Sequence, residues 1–327
     1  MRYVARKALF YLVAVWAAMT LNFFIPRLIK GDPVSAIMAR TAGAGPPAPE
    51  ARHALELQFG VSHDPLWRQY LGYLKNVVTG NFGPSVTYYP TPVSAVLKQA
   101  LPWTVTMVGL ATIMAVVLGI TLGMLAGWRR GSWLDALVPS TAFLQAIPFF
   151  WLALVLLYLL GQLAGMFPLN SGYSYNTIIG WNWPFIQSAV YHAALPALAI
   201  VIGSIAGWML GMRNMMVSTM AEDYVVTAEA KGLKPRRIMV AYAARNAVLP
   251  SVAGFAISLG FVVNGSIVTE IVFSYPGIGT NLVAAVQNSD YPLMQGIFLV
   301  IALAVLGANF IVDLLYAVID PRTRQAS

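Results

Sequence analysis

Charged residues are so sparse in this chain that long apolar runs separate them, and the longest uncharged run extends from Ala136 to Met212. A helix that crosses a bilayer needs about 20 mostly apolar residues, because lipid offers the backbone no hydrogen-bond partners. Only 10% of the 327 residues are charged, compared with about 25% in soluble domains. The sequence therefore predicts an all-α integral membrane protein.

Six apolar runs are long enough to be membrane-spanning helices. The uncharged run 136–212 can hold two of them, because PLNSGYSYNTIIGWNWP at 168–184 has the composition of a loop at a membrane surface. Pro148 is expected to kink the first of these two helices. The predicted spans are residues 8–26, 104–127, 137–165, 189–212, 249–271 and 292–316.

The distribution of lysine and arginine predicts which ends of the spans face the cytoplasm. These residues concentrate in the cytoplasmic segments of membrane proteins, and the short loops 166–188 and 273–291 contain none of them. Both termini are therefore predicted to be cytoplasmic. The first apolar run follows Arg2, Arg6 and Lys7 and is either a signal peptide or an uncleaved anchor, and its length favours the anchor.

The spans divide the chain into three regions. Residues 1–29 contain the N-terminal tip and the first span, residues 30–98 form a partly helical extracytoplasmic loop, and residues 99–327 contain the other five spans. Within the loop, a short helix is predicted at 49–60 and an amphipathic helix at 64–78. The loop is either a cap on the membrane domain or a docking surface for an external partner.

Residue content excludes several classes of function. The chain has no cysteine, so disulfide bonds, cysteine nucleophiles and cysteine-ligated metals are excluded, and its 3 histidines do not indicate a metal site. The net charge of +8 arises from basic residues that flank apolar runs, which argues against nucleic-acid binding. No H-E-x-x-H, G-x-S-x-G or G-x-x-x-x-G-K-[ST] motif is present. We therefore predict no catalytic residue, no metal ligand and no cofactor in this chain.

The predicted cytoplasmic segment 213–249 contains charges of both signs and residues that begin and end helices. Thr219 and Glu222 fit a capping box at the start of a helix. Gly232 fits the left-handed end of that helix, and Pro235 fits the first turn of a second one. A loop that only sets membrane orientation needs basic residues but neither these helix signals nor acidic residues. The pattern favours an element that docks onto a partner protein over a simple solvated loop.

Two sets of glycines repeat at intervals of four residues. Glycines at such a spacing let neighbouring helices approach closely. We interpret both sets as packing surfaces rather than as substrate contacts. They are Gly119, Gly123 and Gly127 in the second span, and Gly203, Gly207 and Gly211 in the fourth.

Polar residues in the fifth span are candidates for lining a transport pathway. Polar side chains in lipid are costly unless they face protein or water, so these residues either line a pathway or form hydrogen bonds between helices. They are Ser258, Asn264, Ser266 and Thr269. The loop that follows is predicted to contact an external partner or to fold back over the membrane domain, through Phe273, Tyr275, Pro276 and Gly277.

Two motifs of the cytoplasmic segment resemble the EAA loop of ATP-binding-cassette (ABC) importer permeases, namely EAKG at 229–232 and RNAVLP at 245–250. Further motifs narrow the resemblance to the dipeptide, oligopeptide and nickel branch, among them KGDP at 30–33, RGSWLD at 130–135 and EIVFSYPGIG at 270–279. On this ordered set, which covers almost its whole length, the chain is identified as a member of that branch. It departs from the pattern at Val226, where the family has its name-giving glutamate.

The resemblance implies the type I ABC importer permease fold with six transmembrane helices, in a bacterial cytoplasmic membrane. It implies that the chain pairs with a second homologous permease as a heterodimer and that a substrate-binding protein docks outside. Two ATPase subunits, or one fused ATPase, would bind ATP and Mg²⁺ on the inner side. The ATPase-coupling residues that it implies are Glu222, Asp223, Ala228, Glu229, Ala230, Lys231, Gly232 and Arg236.

The resemblance also implies the import of di- or oligopeptides, with nickel chelates or other small solutes as the alternative. The rival from another class is an ion-coupled secondary transporter. Such carriers keep ionisable residues near the middle of the membrane, and no predicted span of this chain has one there. A membrane enzyme or a channel is a weaker hypothesis, since the sequence has none of the catalytic motifs above.

Overall fold

The computed structural model describes residues 2–28, 64–252, 254–255, 258 and 267–319. These residues form helices joined by turns, and they contain no β-strand. The helices are α1 (Arg2–Leu28), α2 (Leu66–Thr79), α3 (Val93–Trp128), α4 (Trp133–Ser140), α5 (Phe149–Leu156), α6 (Trp183–Thr219), α7 (Asp223–Ala230), α8 (Pro235–Arg237), α9 (Arg245–Ala247), α10 (Ile267–Val272), α11 (Ile278–Gln287) and α12 (Tyr291–Ile319). A 3-10 helix (Thr141–Ala146) extends α4, and π-helices extend α5 (Leu157–Leu163) and join α8 to α9 (Ile238–Ala244).

Four helices in the described residues are long and apolar enough to cross a membrane, and they lie within α1, α3, α6 and α12. They correspond to the first, second, fourth and sixth predicted spans. Helices α4 and α5, with their extensions, make a fifth if the bent pair is one span. Eleven of the 23 residues of the predicted fifth span, 249–271, lie outside the described residues, and so does the whole helix predicted at 49–60. The count of six spans therefore stays a prediction.

The third predicted span is bent instead of continuous. Its two halves, Trp133–Ala146 and Phe149–Leu163, meet at an angle of 101°. Pro148 immediately precedes α5, and Ile147 has an extended backbone with φ −80° and ψ 122°, because a residue before proline avoids the helical region. The predicted kink at Pro148 is confirmed, and the 101° angle makes it a sharp break in the span.

The described helices are grouped in two compact units. The first contains Met1–Thr104 and Pro276–Phe310, and the second contains Val105–Tyr275 and Ile311–Ala326. One boundary therefore falls inside α3. Because the units are defined by contacts and not by membrane topology, the three regions proposed from the sequence stay predictions.

In the first unit, α2 packs on α1 through hydrogen bonds and aromatic rings. The hydroxyl oxygens of Thr20 and Tyr70 lie 2.7 Å apart, and Asn22 Nδ2 donates to Tyr73 Oη at 3.1 Å. Phe23 is fully buried, and its ring centroid lies 5.2 Å from that of Tyr70 and 5.5 Å from that of Tyr73. The predicted amphipathic helix is thereby confirmed, and its position agrees with the interpretation of this part of the loop as a cap.

A buried carboxylate attaches the segment 81–92 to the start of α12. Asp290 is fully buried, and its Oδ2 accepts hydrogen bonds from Ser85 Oγ at 2.5 Å and from the backbone N–H of Thr87 at 2.8 Å. Its Oδ1 accepts a hydrogen bond from the N–H of Leu293 at 3.0 Å, so the same side chain caps α12. One residue therefore connects the chain after α2 to the last helix.

Replacing Asp290 with alanine is expected to destabilise the protein, because three donors lose their acceptor at once. A single buried donor left without a partner costs about 1–3 kcal/mol, so the melting temperature of the detergent-solubilised protein should fall. Asp290→Asn, which keeps one carbonyl acceptor, should have an intermediate effect. The control change Lys75→Ala removes an exposed charged side chain and should leave the melting temperature unchanged. Equal stability of Asp290→Ala and the wild type would contradict this role.

In the second unit, α3 contacts α6 closely along the first set of glycines. A Cβ atom on Gly123 would lie 2.3 Å from the backbone oxygen of Met209. One on Gly119 would lie 2.5 Å from the Cβ of Trp208, and Gly127 meets α6 in the same way. Any side chain at these positions would force the helices apart, so the predicted packing role of this set is confirmed.

In the second set of glycines, only one glycine lies at a close contact between described helices. A Cβ atom on Gly203 would lie 2.5 Å from the ring of Phe149, so this glycine lets α5 approach α6. At Gly207 an added Cβ would make only an ordinary contact, 3.6 Å from Gln145 Oε1. No atom of the described residues lies within 4 Å of a Cβ on Gly211. The packing prediction is confirmed for Gly203, and for Gly211 it stays a prediction.

Candidate functional site

Helix α6 carries the candidate site at its C-terminal end. Its 37 residues extend over about 55 Å at a rise of about 1.5 Å per residue, whereas the hydrocarbon core of a bilayer is about 30 Å thick. The helix is therefore long enough to project beyond the membrane. Helix α7 follows it after a turn at residues 220–222, so the predicted docking segment is mounted on the end of a long helix.

The start of α7 differs from the predicted capping box. Helix α6 continues to Thr219, so Thr219 ends one helix and does not cap the next. Glu222 occupies the N-cap position of α7 but makes no side-chain hydrogen bond to the helix start. Asp223 lies in the first turn, where a negative charge interacts favourably with the helix dipole. The helix that the sequence places between Thr219 and Gly232 is therefore shorter than expected, because it begins only at Asp223.

The end of α7 is formed as predicted. Gly232 has a φ of +68°, in the left-handed region. Its N–H donates to the carbonyl of Glu229 at 2.8 Å, and the N–H of Leu233 donates to the carbonyl of Ala228 at 3.3 Å. These two bonds make a Schellman motif, which ends a helix at a left-handed residue. Pro235 then occupies the first turn of α8, also as predicted.

A hydrophobic cluster holds α7 against the rest of the second unit. Val225 and Ala228 lie three residues apart on one face of α7, and both are buried. They pack with residues of α6 and of the helical stretch from α8 to α9, namely Met212, Met216, Ile238, Ala243, Ala244 and Ala247. Close packing of this kind leaves little freedom for the helix to rotate, so the opposite face of α7 has a fixed orientation.

Most of the predicted coupling residues are exposed. Acidic side chains lie along α7, and basic side chains follow from its end onward. The exposed residues of the predicted set are Glu222, Asp223, Glu229, Ala230, Lys231, Gly232 and Arg236. Ala228 is the exception because it is buried in the hydrophobic cluster. Seven of the eight predicted residues are therefore exposed, and we call this set the coupling surface.

The sequence reasoning missed a pocket at the edge of the coupling surface. A cavity of about 290 Å³ is lined by Tyr224, Thr227, Ala228, Lys231 and Tyr242. Tyr224, Thr227 and Lys231 recur at three or four residues along α7, a spacing that places side chains on one helix face and was therefore recognisable. Tyr242 comes from the π-helix, and no local pattern connects it to α7. A concave surface of this size can receive a side chain from a docked protein.

A turn between α3 and α4 contacts the last turns of α6. Arg213 Nε donates to Asp135 Oδ1 at 2.6 Å, and the backbone N–H of Gly131 donates to Asp135 Oδ2 at 2.9 Å. Arg130 Nη2 donates to the carbonyl of Val217 at 2.6 Å. Asp135 and Arg213 are the two charges that bound the long uncharged run, and no local pattern predicted that they would meet.

Two of the four candidate pathway residues lie in the described part of the chain. Ser258 is half-buried, and its hydroxyl donates to the carbonyl of Phe255 at 2.7 Å. Thr269 is buried, and its hydroxyl has no hydrogen-bond partner among the described residues. Asn264 and Ser266 lie outside the described residues. The assignment of these four residues to a pathway stays a prediction.

The predicted outer-loop contacts are mostly buried within the chain. Phe273 packs against α5 and α6, and Phe273 and Tyr275 are each only 2% exposed. Burial, and to a smaller extent the carboxyl of Glu270, raise the pKa of the Tyr275 hydroxyl above its ordinary value, so it stays protonated at neutral pH. Gly277 is buried and Pro276 half-buried. Their contact with an external protein stays a prediction.

The part of the chain that contains α6 and the coupling surface matches a known family. Residues 119–325 match the binding-protein-dependent transport system inner membrane component family. The chain belongs to this family. It is therefore a permease subunit of a transporter, an integral inner-membrane protein, and not an enzyme. The predicted all-α type I ABC permease fold is confirmed, and a permease of this family acts with ATPases and a binding protein.

Relatives of the permease match it nearly from end to end. It is 32% identical to the oligopeptide transport system permease protein AppB of Bacillus subtilis, over 98% of each chain. It is also 32% identical to the di/tripeptide transport system permease protein DppB of Pseudomonas aeruginosa, over 98% of each chain. The dipeptide transport system permease protein DppB of Escherichia coli K12 is 35% identical over 93% of each chain. The predicted membership of the peptide branch is confirmed.

Proposed function

We propose that this permease forms one half of the translocation pathway of an ATP-driven importer of di- or oligopeptides. An extracytoplasmic substrate-binding protein delivers the peptide, and the coupling surface docks onto an ATPase. The single observation that carries this proposal is the coupling surface itself, an exposed face with charges of both signs. It lies at the end of a helix long enough to leave the membrane. The names of the three relatives support the peptide as substrate.

The structure of α7 supports a role as a lever. The Schellman motif at Gly232 and the buried residues Val225 and Ala228 fix the helix at its end and on its inner face. When a partner displaces the coupling surface, α7 therefore moves together with α6 and does not move on its own. Alternating access in transporters proceeds by rigid-body movement of helices about a fixed site, and a rigid connection of this kind fits that mechanism.

The sequence supports the proposed partners and the proposed orientation in the membrane. It has no phosphate-binding G-x-x-x-x-G-K-[ST] loop, so ATP and Mg²⁺ are bound by two ATPase subunits or by one fused ATPase. A second, homologous permease completes the pathway as a heterodimer. Lysine and arginine are concentrated in the segments that include the coupling surface, which supports cytoplasmic N- and C-termini.

We place the pathway along the fifth predicted span. Thr269 belongs to this placement because its buried hydroxyl has no hydrogen-bond partner among the described residues, and a polar group inside a membrane needs one. Ser258, Asn264 and Ser266 belong to the same proposal. Phe273, Tyr275, Pro276 and Gly277 would close the outer end, since their burial favours a closed loop over one that projects outward.

Reconstitution tests this function directly. The permease is placed in vesicles with its partner permease and ATPases, and a labelled dipeptide is supplied with the binding protein. We expect uptake that requires ATP on the side of the vesicle membrane where the ATPases are bound. Uptake should also require the binding protein on the opposite side. Nickel chelates supplied in excess should not compete. Uptake driven by an ion gradient without ATP would contradict the proposal, and competition by nickel chelates would move the substrate to the alternative class.

Reversing the charge of Glu229 is expected to weaken the docking of the ATPase. Glu229 is exposed on the coupling surface, so Glu229→Lys should insert normally. Close charge pairs at protein interfaces contribute about 1.5–7 kcal/mol, and even the lower value corresponds to a loss of about tenfold in affinity. The measurement is co-purification of the ATPase together with substrate-stimulated ATP hydrolysis. Glu229→Gln, which removes the charge without reversing it, should have a smaller effect, and wild-type behaviour of both variants would contradict the assignment.

A further inference from the structure

Residues 129–135 comprise the turn between α3 and α4 together with the start of α4, and they are built around one carboxylate; we call them the turn 129–135. Both oxygens of Asp135 are used, Oδ1 by the guanidinium of Arg213 at 2.6 Å and Oδ2 by the N–H of Gly131 at 2.9 Å. The N–H of Asp135 in turn donates to Ser132 Oγ at 3.3 Å, which caps α4. Asp135 therefore fixes the shape of its own turn and binds α6 at the same time.

A second residue of the turn holds the end of α6. The last four carbonyls of a helix have no partner within the helix, and Val217 is in the last turn of α6. Arg130 Nη2 donates to its carbonyl at 2.6 Å, and a positive charge at a helix C-terminus is also favourable. Arg213 and Val217 lie one turn apart, so the turn contacts α6 at two successive levels just before α7.

These polar contacts are not needed to keep the helices together. The close approach of α3 and α6 already depends on Gly119, Gly123 and Gly127. The side chains of Arg213 and Asp135 are 24% and 12% exposed, and ion pairs that water can reach add little net stability. Two contacts one helical turn apart instead fix the direction of the end of α6. Helix α7 follows directly after this end.

We propose that Asp135 is a positioning residue for energy coupling, which locks the turn 129–135 to the end of α6 so that movement of α7 is passed to α3 and α4 as well. The inference rests on the proposed function, since α7 is taken to dock onto an ATPase. It assigns a role to the RGSWLD motif, which the docking of α7 alone leaves without one. Without the lock, the end of α6 bends locally, and ATP is hydrolysed with less movement of the pathway.

The test measures the number of ATP molecules hydrolysed for each peptide transported by the reconstituted complex. Asp135→Asn keeps the size of the side chain, and Arg213→Lys keeps the charge but not the Nε–H donor. We expect each variant to hydrolyse about fivefold more ATP per peptide than the wild type, the size of effect that corresponds to loss of a partly exposed ion pair. Asp64→Asn, at an exposed carboxylate of the first unit, is the matched control and should keep the wild-type ratio.

A double variant separates positioning from general damage. Because Asp135 and Arg213 act through one another, Asp135→Asn with Arg213→Lys should raise the ratio no further than the more impaired single variant. Melting temperature and co-purification of the ATPase should stay near the wild type. An unchanged ratio in both single variants, or losses that multiply in the double variant, would overturn the inference. Failure of the proposed function would instead appear in the wild-type complex, as uptake that does not depend on ATP.

Discussion

Gly232→Val is expected to lower peptide transport by about tenfold or more while the permease still inserts in the membrane. Gly232 has a φ of +68°, and a side chain in the left-handed region costs roughly 1–2 kcal/mol, more for a β-branched residue. A difference of about 1.4 kcal/mol is a factor of ten in an equilibrium. No atom of the described residues lies within 4 Å of a Cβ at this position, so the strain is in the backbone alone.

The strain should break the Schellman motif, and α7 would then lose its fixed end. The measurement is ATP-dependent uptake of a labelled dipeptide, alongside the amount of permease in the membrane. Gly232→Asn is the matched control, because asparagine tolerates the left-handed region, and it should keep most of the activity. Transport by Gly232→Val at the level of Gly232→Asn would show that the end of α7 is not needed in this conformation.

Gly123→Leu is expected to prevent the assembly of the second unit. A Cβ at this position would lie 2.3 Å from the backbone oxygen of Met209, and a backbone atom cannot move aside unless α6 moves with it. Overpacking typically costs about 1–3 kcal/mol and sometimes more. Gly123→Ala should therefore lower the melting temperature measurably, and Gly123→Leu should give protein that aggregates on size-exclusion chromatography.

The control for this prediction lies on the same helix. Gly109 of α3 has no described atom within 4 Å of an added Cβ, so Gly109→Ala should leave the melting temperature near that of the wild type. If Gly123→Ala were equally well tolerated, the close contact between α3 and α6 would not exist in the protein. Since α6 carries α7, we also expect Gly123→Ala to reduce substrate-stimulated ATP hydrolysis.

Rules that act over a few residues predicted much of the site. The left-handed end at Gly232 and the proline at the start of α8 depend only on backbone preferences of single residues, and both are confirmed. The break at Pro148 follows from the same kind of rule. Its angle of 101° does not, because local preference states where a helix breaks but not how far the next one turns.

The local features that the sequence did not predict correctly have a common cause, which is packing between segments that are distant in the chain. Thr219 looked like a helix cap, but Met212 and Met216 are buried against α7 and its neighbours, and α6 continues past them to Thr219. In α2, Tyr73 is buried, whereas the larger apolar side chain of Trp67 is 60% exposed. In both places tertiary contacts decided between local alternatives that the sequence leaves nearly equal.

The ion pair between Asp135 and Arg213 also constrains how the chain enters the membrane during synthesis. Both partners must be on the same side of the bilayer, which agrees with the prediction that the 136–212 stretch between them crosses the lipid twice as a hairpin. Carrying either charge through the hydrocarbon would be costly, and a stretch without charges avoids that cost. The two charges therefore mark where insertion of the hairpin begins and where it ends.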